Sequence, residues 1–387
     1  MLLISLLDFE VERVGGLMPK NIVVCCDGTS NQYTWDKTNV LKLYYALVND
    51  PIHQIVYYHP GIGTMGPAGA ITKFDKWWTT ELGLAMGFGI ENDIRDAYVF
   101  LMNNFEPGDN LFLFGFSRGA YTARSLASVL RMYGLIRGGE DPLVPYAIRM
   151  MNEMNKNSNK SNPTAVLQLA DGFKETFSAI CKPRFVGVWD TVSSVGWVGN
   201  PLKLPFTANN PDIAVGRHAV AIDERRAFFA PNLWRWKPDV EDHGPKDLLQ
   251  VWFPGSHSDV GGGYPENQSQ QSKYALQWLM VEARDKGLLF DDKRARWVLG
   301  VTDGSPYKRA SVELPVHESL VGWWKLAEYV PRPHYDWQSG KTAREMHRGR
   351  RRRMPDQSLV HESAFLRGPE YMQGIGANPV KVSIREF

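Results

Sequence analysis

The sequence lacks a long hydrophobic run, and it has few cysteines. No segment approaches the ~18 consecutive apolar residues that a membrane-spanning helix needs. Of the three cysteines, Cys25 and Cys26 are neighbours on a predicted strand and face opposite sides, which predicts packed, reduced thiols. The apolar residues 1–7 have no basic residue before them, unlike a secretory signal peptide. We therefore expect a cytoplasmic protein, with leaderless export as the alternative.

The sequence also lacks an excess of charge of either sign. Its 44 basic and 42 acidic residues leave a formal net charge of +2, which argues against a dedicated nucleic-acid binder. The exception is the arginine-rich run at residues 348–353, which we interpret as a solvated loop. The alternative is that this run contacts an anionic surface such as phospholipid headgroups, as in a peripheral membrane protein.

Signatures of bound cofactors are missing as well. The glycine loops at residues 61–63 and 261–263 are not followed by the Lys-Ser/Thr pair of a nucleotide-binding loop, so no nucleotide is expected. No cluster of His, Asp or Cys has the spacing of metal ligands, so we expect no metal and no other cofactor. Sequence patterns give no indication of the oligomeric state.

What the sequence does contain is a G-x-S-x-G pattern inside a strand–turn–helix unit. Residues 111–114 are apolar and predict a buried strand; Ser117 is central in the turn at 115–119, and small and apolar residues at helical spacing follow. Glycine is needed on both sides because a Cβ there would crowd the strand or the helix. Such a nucleophile elbow lifts the serine hydroxyl out of the sheet, so we predict that Ser117 is a nucleophile.

The wider chain alternates strands and helices. This alternation predicts an α/β fold that is α/β-hydrolase-like, with a mostly parallel sheet and helices on both faces. The predicted strands are residues 21–26, 54–58, 111–114, 184–189 and 248–253. Functional groups of such sheets gather at the carboxyl ends of strands. Four of these ends carry reactive groups, namely Asp27, Ser117, Asp190 and His257.

A serine nucleophile needs a neighbouring base, and the base needs an acid that orients it. Ser117, Asp190 and His257 follow the chain order serine, acid, histidine of α/β-hydrolases, so we assign them as a catalytic triad. In this assignment His257 takes the proton of Ser117, and Asp190 holds the imidazole.

The negative charge of the reaction intermediate needs an oxyanion hole made of two backbone amides. One amide is that of Arg118, directly after the nucleophile. The second is expected from Gly28 or Thr29, in the loop after the first strand.

Three other residues remain as alternatives or supports. An Asp at a strand end, such as Asp190, is often a helix cap instead of a catalytic acid. His218 is the main rival of His257, because it precedes a short apolar run. Asp259 is predicted to support the site, to be the true acid, or to bind a metal together with Asp27, and the metal alternative has the least support from residue spacing.

The domain organisation follows from changes in composition along the chain. We predict an N-terminal extension at residues 1–19, a hydrolase domain at 20–300 with an insertion at about 137–180, and a C-terminal appendage at 301–387 that packs on the core. Residues 150–164 are rich in Asn, Lys and Ser and are predicted to be a loop or a linker between helices.

Several long motifs resemble a known family. The segments with this resemblance are residues 26–29, 115–124, 187–192, 218–226 and 252–264. They resemble the α/β-hydrolase domain family that includes the class-one type VI secretion lipase effectors. The resemblance covers about residues 20–290, and it implies the same triad and, for the effector branch, phospholipase activity on bacterial membranes. No long amphipathic or hydrophobic insertion like those of the effectors is present.

The function expected from these observations is that of a serine esterase of the lipase or phospholipase type. Its substrate would be a phospholipid or another acyl ester. One alternative is a catalytically silent member of the fold that serves as a binding or assembly module. Another is hydrolysis of a non-lipid acyl or peptide bond by the same triad.

Overall fold

The computed structural model describes residues 19–28, 37–61, 90–157, 163–192, 196–197, 200–201, 206–235, 244–322, 324–336, 341–375 and 378–387. Within these residues one central sheet has eight strands, all parallel to their neighbours. Strands β1 to β8 are Asn21–Cys26, Gln54–His59, Asn110–Phe116, Pro183–Trp189, Val215–Ala221, Asp247–Phe253, Leu359–His361 and Val380–Val382. Their order across the sheet is β8-β7-β6-β5-β4-β3-β1-β2, which confirms the predicted α/β fold.

Helices cover both faces of this sheet. Helices α1 to α11 are Asn39–Ala46, Ile90–Asn104, Arg118–Tyr133, Val144–Asn157, Pro163–Phe177, His257–Gly261, Ser272–Arg284, Asp292–Val298, Trp324–Ala327, Glu362–Phe365 and Pro369–Gln373. On β3, Leu111 and Leu113 pack with α2 and α3 on one face, while Phe112 and Phe114 pack with α1 and α7 on the other. Because both faces are buried, the central strands are continuous apolar runs.

Short elements complete the described chain. Three 3-10 turns are Asp141–Leu143, Ala227–Phe229 and Glu266–Gln268. Three antiparallel pairs are Leu135–Ile136 with Ser178–Ala179, Gly196–Trp197 with Asn200–Pro201, and Arg332–Asp336 with Lys341–Glu345. These pairs lie outside the central sheet, whose strands set the position of the site.

Two regions differ from the sequence-based expectation. The predicted linker at residues 150–164 is helical to residue 157, and α5 begins at residue 163. The loop prediction was wrong for residues 150–157, because lysine is a good helix former and asparagine is only modestly unfavourable in a helix. Their abundance therefore does not exclude a helix.

The tail beyond residue 300 does more than pack on the core. Its strands β7 and β8 extend the central sheet, with β7 pairing to β6. The two strands are only three residues long each, too short for a periodic signal. The predicted boundary near residue 300 therefore divides β1–β6 from β7 and β8, although all eight strands belong to one sheet. Whether the chain forms separate domains on the two sides of this boundary remains a prediction.

Candidate active site

The turn around Ser117 is so tight that a side chain on either flanking glycine would clash with the backbone. A Cβ on Gly115 would lie 2.3 Å from the carbonyl oxygen of Gly119, and a Cβ on Gly119 would lie 2.1 Å from that of Cys26. Ser117 itself has φ 58° and ψ −118°, a backbone conformation that residues with a side chain rarely adopt. The turn therefore joins β3 to α3 in the sharp manner of a nucleophile elbow.

Ser117 lies directly beside the end of the neighbouring strand β4. Its backbone N–H donates to the carbonyl of Trp189 at 3.1 Å, and Phe116 pairs with Trp189 in the sheet. Its side chain makes no capping hydrogen bond to α3, although it occupies the N-cap position. The hydroxyl is thus not used to hold the helix, and Asp190 follows Trp189 at the adjacent strand end.

Asp190 and His257 form a hydrogen-bonded pair at this rim. The imidazole Nδ1 of His257 lies 2.5 Å from Oδ2 of Asp190. Because an ionised carboxylate can only accept, Nδ1 carries the hydrogen and Nε2 is left as the basic nitrogen. Asp190 has φ 38°, a second strained position at a strand end. Two residues that sequence order proposed as acid and base are therefore in contact.

His257 is held from several sides. The histidine begins the short helix α6, where its backbone N–H donates to Glu224 Oε2 at 3.2 Å. The ring lies 4.6 Å from the ring of Phe116 and 4.9 Å from that of Phe229, between centroids. A Cβ on Gly261 would lie 1.9 Å from the Phe116 ring, so α6 packs directly on the end of β3.

Arg352 is a site residue that sequence reasoning missed. Its side chain is 3% exposed, and its two terminal nitrogens contact Asp190 at 2.5 Å and 3.0 Å. The interpretation of residues 348–353 as a solvated loop is therefore wrong for Arg352, although the other arginines of the run are exposed. No signal within the run distinguishes the arginine that meets Asp190 from its neighbours.

The charges around Asp190 favour its ionised form. Burial by itself raises the pKa of this carboxyl, but the Arg352 guanidinium and the His257 hydrogen bond hold the pKa well below its usual range. The N–H of Ala221 also donates to Oδ1 at 2.9 Å. Asp190 is thus a fully buried carboxylate that stays charged, as the orienting group of an imidazole must.

His218, the rival histidine, lies behind Asp190. Its Nε2 accepts the backbone N–H of Thr191 at 3.1 Å, so the ring is neutral with its hydrogen on Nδ1. Burial, followed by the charge of Arg124, lowers the pKa of His218 to about 3. The nitrogen that could act as a base is therefore occupied by the turn that follows Asp190.

Asp259 supports the helix that carries His257. Its Oδ2 accepts the backbone N–H of Ser256 at 2.9 Å, at the start of α6. Its Oδ1 lies 2.6 Å from Nδ1 of His317, which stacks on the ring of Tyr264. These contacts leave both oxygens of Asp259 occupied, and its supporting role in the site remains a prediction.

Asp27 and Gly28 lie on the other side of the nucleophile. A Cβ on Gly28 would lie 3.5 Å from the Cβ of Ser117, so this loop touches the elbow. The N–H of Gly28 donates to Asp27 Oδ1 at 2.7 Å, while Thr38 and Tyr58 donate to Asp27 Oδ2. Thr29 lies outside the described residues, and the oxyanion role of this loop remains a prediction.

The part of the chain that the structure describes contains neither a metal site nor a membrane-spanning helix. No group of three or more His, Cys, Asp or Glu side chains is placed to hold a metal ion there. None of the helices in that part is both long enough and apolar enough to cross a bilayer.

The parallel sheet, the elbow and the Asp190–His257 pair define an α/β-hydrolase-like protein. A family model described as "T6SS, Phospholipase effector Tle1-like, catalytic domain" matches residues 20–282. The chain therefore belongs to the family of Tle1-like phospholipase effector catalytic domains, and the predicted resemblance is confirmed.

One curated relative shares part of its length with this chain. The uncharacterized protein YEL023C of Saccharomyces cerevisiae is 38% identical over 219 residues, which are 54% of this chain and 32% of that protein. The chain thus spans about a third of the length of this curated relative.

Two solved structures share a weaker likeness. An uncharacterized protein from Pseudomonas aeruginosa has a TM-score of 0.40 at 19% identity, over 71% of this chain and 47% of that one. The Tle1 effector bound to the VgrG spike of the type VI secretion system has a TM-score of 0.38 at 14% identity, over 81% of this chain and 79% of that one.

Proposed function

We propose that this protein is a serine hydrolase that cleaves carboxylic esters, with phospholipids as its substrate class. The observation that carries this proposal is the 2.5 Å contact between Asp190 and His257 at the strand end beside the Ser117 elbow. Membership of a phospholipase effector family supports a lipid ester as the substrate. Ser117, His257 and Asp190 act as nucleophile, base and orienting acid.

In the first half of the reaction, Ser117 Oγ attacks the ester carbonyl carbon. His257 Nε2 takes the hydroxyl proton, and the carbonyl oxygen becomes a tetrahedral oxyanion. When the C–O bond of the ester breaks, His257 returns that proton to the leaving alcohol and an acyl-serine remains. In the second half a water repeats these steps, with His257 as the base, and releases the carboxylic acid.

The oxyanion needs donors near the elbow. The backbone N–H of Arg118 is in the first turn of α3, where the amide hydrogens project from the N-terminal end of the helix. Gly28 or Thr29 is our proposal for the second donor, because the Gly28 loop touches Ser117. For Gly28 this role requires its hydrogen bond to Asp27 to be exchanged for one to the substrate.

Aromatic side chains next to His257 suit an acyl ester. Phe229 lies edge-on to the His257 ring, and Trp324 packs on Phe229 with a centroid distance of 5.7 Å. Phe116 also lies against the imidazole, with a centroid distance of 4.6 Å. This apolar surround would bury the hydrocarbon next to the scissile bond and exclude water from the charged intermediate.

The decisive experiment compares Ser117→Ala with the purified wild-type chain. Ser117→Ala should abolish turnover of a p-nitrophenyl ester and covalent labelling by a fluorophosphonate probe, while the circular dichroism spectrum stays unchanged. Ser311→Ala, a serine distant from the elbow in the chain, is the matched control and should keep both activities. Full turnover by Ser117→Ala would end the proposal, and so would a wild-type chain that is neither labelled nor active, as the non-catalytic alternative predicts.

The substrate class is tested separately with vesicles of phosphatidylethanolamine and phosphatidylglycerol. Mass spectrometry should detect released fatty acid and lysophospholipid with the wild type and neither product with Ser117→Ala. Turnover of soluble esters without release of fatty acid from vesicles would contradict the phospholipid assignment and favour a non-lipid acyl substrate.

A further inference from the structure

The contact between Arg352 and Asp190 is a planar, two-point interaction in the interior of the site. Nη1 of Arg352 donates to Oδ1 of Asp190 at 2.5 Å, and Nη2 donates to Oδ2 at 3.0 Å. A guanidinium that meets a carboxylate in this way fixes its plane as well as its distance, because the fork of donors is rigid. The orientation of the Asp190 carboxylate is therefore set by a residue 162 positions away in the chain.

This orientation decides where Asp190 can accept the imidazole. Oδ1 accepts from the N–H of Ala221 and from Nη1 of Arg352, while Oδ2 accepts from Nη2 of Arg352 and faces Nδ1 of His257. Rotation of the carboxylate would break the bonds to Ala221 and Arg352 together. The Asp190 carboxylate is therefore held in one orientation, in which Oδ2 faces the imidazole of His257.

Arg352 is itself anchored to the elements that surround His257. Nη1 also donates to the carbonyl of Ala221 at the end of β5, at 3.0 Å, and Nη2 donates to the carbonyl of Phe229. Phe229 belongs to the 3-10 turn whose aromatic ring lies against the imidazole. One side chain therefore connects the acid, the adjacent strand end and the aromatic neighbour of the base.

We propose that Arg352 is a positioning residue of the active site, which orients Asp190 toward His257 and makes catalysis depend on the C-terminal part of the chain. This inference rests on the proposed serine hydrolase function. The family match ends at residue 282, so Arg352 lies outside the region that the match covers. Arg352 acts through Asp190 and does not touch the reacting atoms.

The experiment compares Arg352→Met with Arg353→Met, a matched change at the next residue, which is exposed. Turnover of a soluble p-nitrophenyl ester and the rate of fluorophosphonate labelling are measured per folded molecule, with the folded fraction taken from circular dichroism. We expect Arg352→Met to lower kcat and the labelling rate about 100-fold with KM little changed, as when catalytic groups lose alignment. Arg353→Met should match the wild type.

Two further variants separate positioning from a purely structural role. Arg352→Lys keeps the charge but cannot make both fork contacts, so its kcat should stay at least about tenfold below the wild type with KM unchanged. Arg352→Ala should regain part of its activity when millimolar guanidinium is added, far below denaturing concentrations, whereas Arg353→Ala should not respond.

The outcomes are decisive in either direction. A kcat of folded Arg352→Met within threefold of the wild type overturns the inference, and so does a loss that follows the folded fraction alone with no rescue by guanidinium. If the Met and Ala variants do not fold, Arg352→Lys decides: lowered kcat supports positioning, and unchanged kcat overturns it. Active Ser117→Ala would refute the hydrolase proposal itself, whereas inactive Ser117→Ala beside active Arg352 variants would refute only this inference.

Discussion

The two halves of the candidate site are built in different ways. The nucleophile half depends mainly on neighbours in the chain, because Gly115, Ser117 and Gly119 form the turn, and a Cβ on Gly119 would meet the end of β1. The acid–base half depends on distant residues, because Asp190 needs His257 and Arg352, which lie 67 and 162 positions away. The first half is specified by steric limits within one turn, and the second by a network of buried charges.

The network of buried charges extends beyond Asp190. Four buried carboxylates around the candidate site each contact a residue of the C-terminal part, at residues 301–387. The pairs are Asp190 with Arg352, Asp223 with Tyr371, Glu224 with Ser319, and Asp259 with His317. Since a buried carboxylate without partners is costly, the C-terminal part stabilises the loops that carry the acid and the base. The comparison teaches that a local motif can mark a nucleophile while the rest of its site remains non-local.

The largest effect is expected from Asp190→Asn in the acid–base half. An amide at this position no longer stabilises the imidazolium and can favour the wrong tautomer of His257, so kcat should fall by about 10⁴-fold. Ester turnover at neutral pH, corrected for the folded fraction, measures the loss.

Asp292→Asn is the control for Asp190→Asn, because its side chain is 78% exposed and should leave turnover unchanged. A kcat of Asp190→Asn within tenfold of the wild type would contradict the assignment of the acid. It would also remove the contrast between the two halves, because the distant network would then have no catalytic consequence.

In the nucleophile half, the corresponding change is Gly119→Ala, and its effect should be on stability. The added Cβ would lie 2.1 Å from the carbonyl oxygen of Cys26, and neither backbone can move away without distorting β1 or α3. We expect a loss of about 3 kcal/mol in the free energy of unfolding, measured by urea denaturation, together with loss of turnover.

Gly172→Ala is the matched control for Gly119→Ala. Gly172 is exposed in α5, and a Cβ there would contact nothing within 4 Å. Because alanine favours helix over glycine, this variant should gain about 0.5–1 kcal/mol. If both variants lost the same stability, a steric clash of the added Cβ in the elbow would not explain why Gly119 is glycine.

Features that depend on neighbouring residues could be predicted from the sequence, whereas those that depend on distant residues were harder to predict. Strand β1 at residues 21–26 coincides with the predicted bounds, because a parallel strand buried on both faces leaves a continuous apolar run. The elbow was equally visible, because its glycines stand at fixed spacing around Ser117. Asp190 and His257 were accessible only through chain order and resemblance, and the structure adds their contact.

The parts that sequence reasoning missed have physical reasons. Arg352 lies among five arginines within residues 348–353, and only tertiary packing buries that one. Strands β7 and β8 are too short for periodicity, and they form because β7 pairs with β6 and β8 pairs with β7. Glu224, which holds the backbone of His257, lies in a charged segment that resembles a solvated turn.

The smallest effects are expected from titration, and they differ in sign between the two halves. Asp93 of α2 is buried near Arg118, and burial raises the pKa of its carboxyl to about 7. In the unfolded chain the Asp93 carboxyl titrates near pH 4, so its contribution to stability is lost as the pH rises from about 4 to 7.

Glu224 behaves in the opposite way. Burial opposes its ionisation, but hydrogen bonds from Arg226 lower its pKa to about 2. The ionised Glu224 therefore stabilises the fold above about pH 4.5, and this effect is lost as the pH falls toward 2.

Asp93→Asn should therefore be more stable than the wild type at pH 7 and equal to it near pH 4. Glu224→Gln should be less stable than the wild type at pH 7, with a difference that shrinks as the pH falls from about 4.5 toward 2. Urea denaturation across this pH range measures both differences. Parallel pH profiles for the two variants would contradict the opposite electrostatics of the halves, because a desolvated carboxyl and a carboxylate held by cations cannot respond to protons with the same sign.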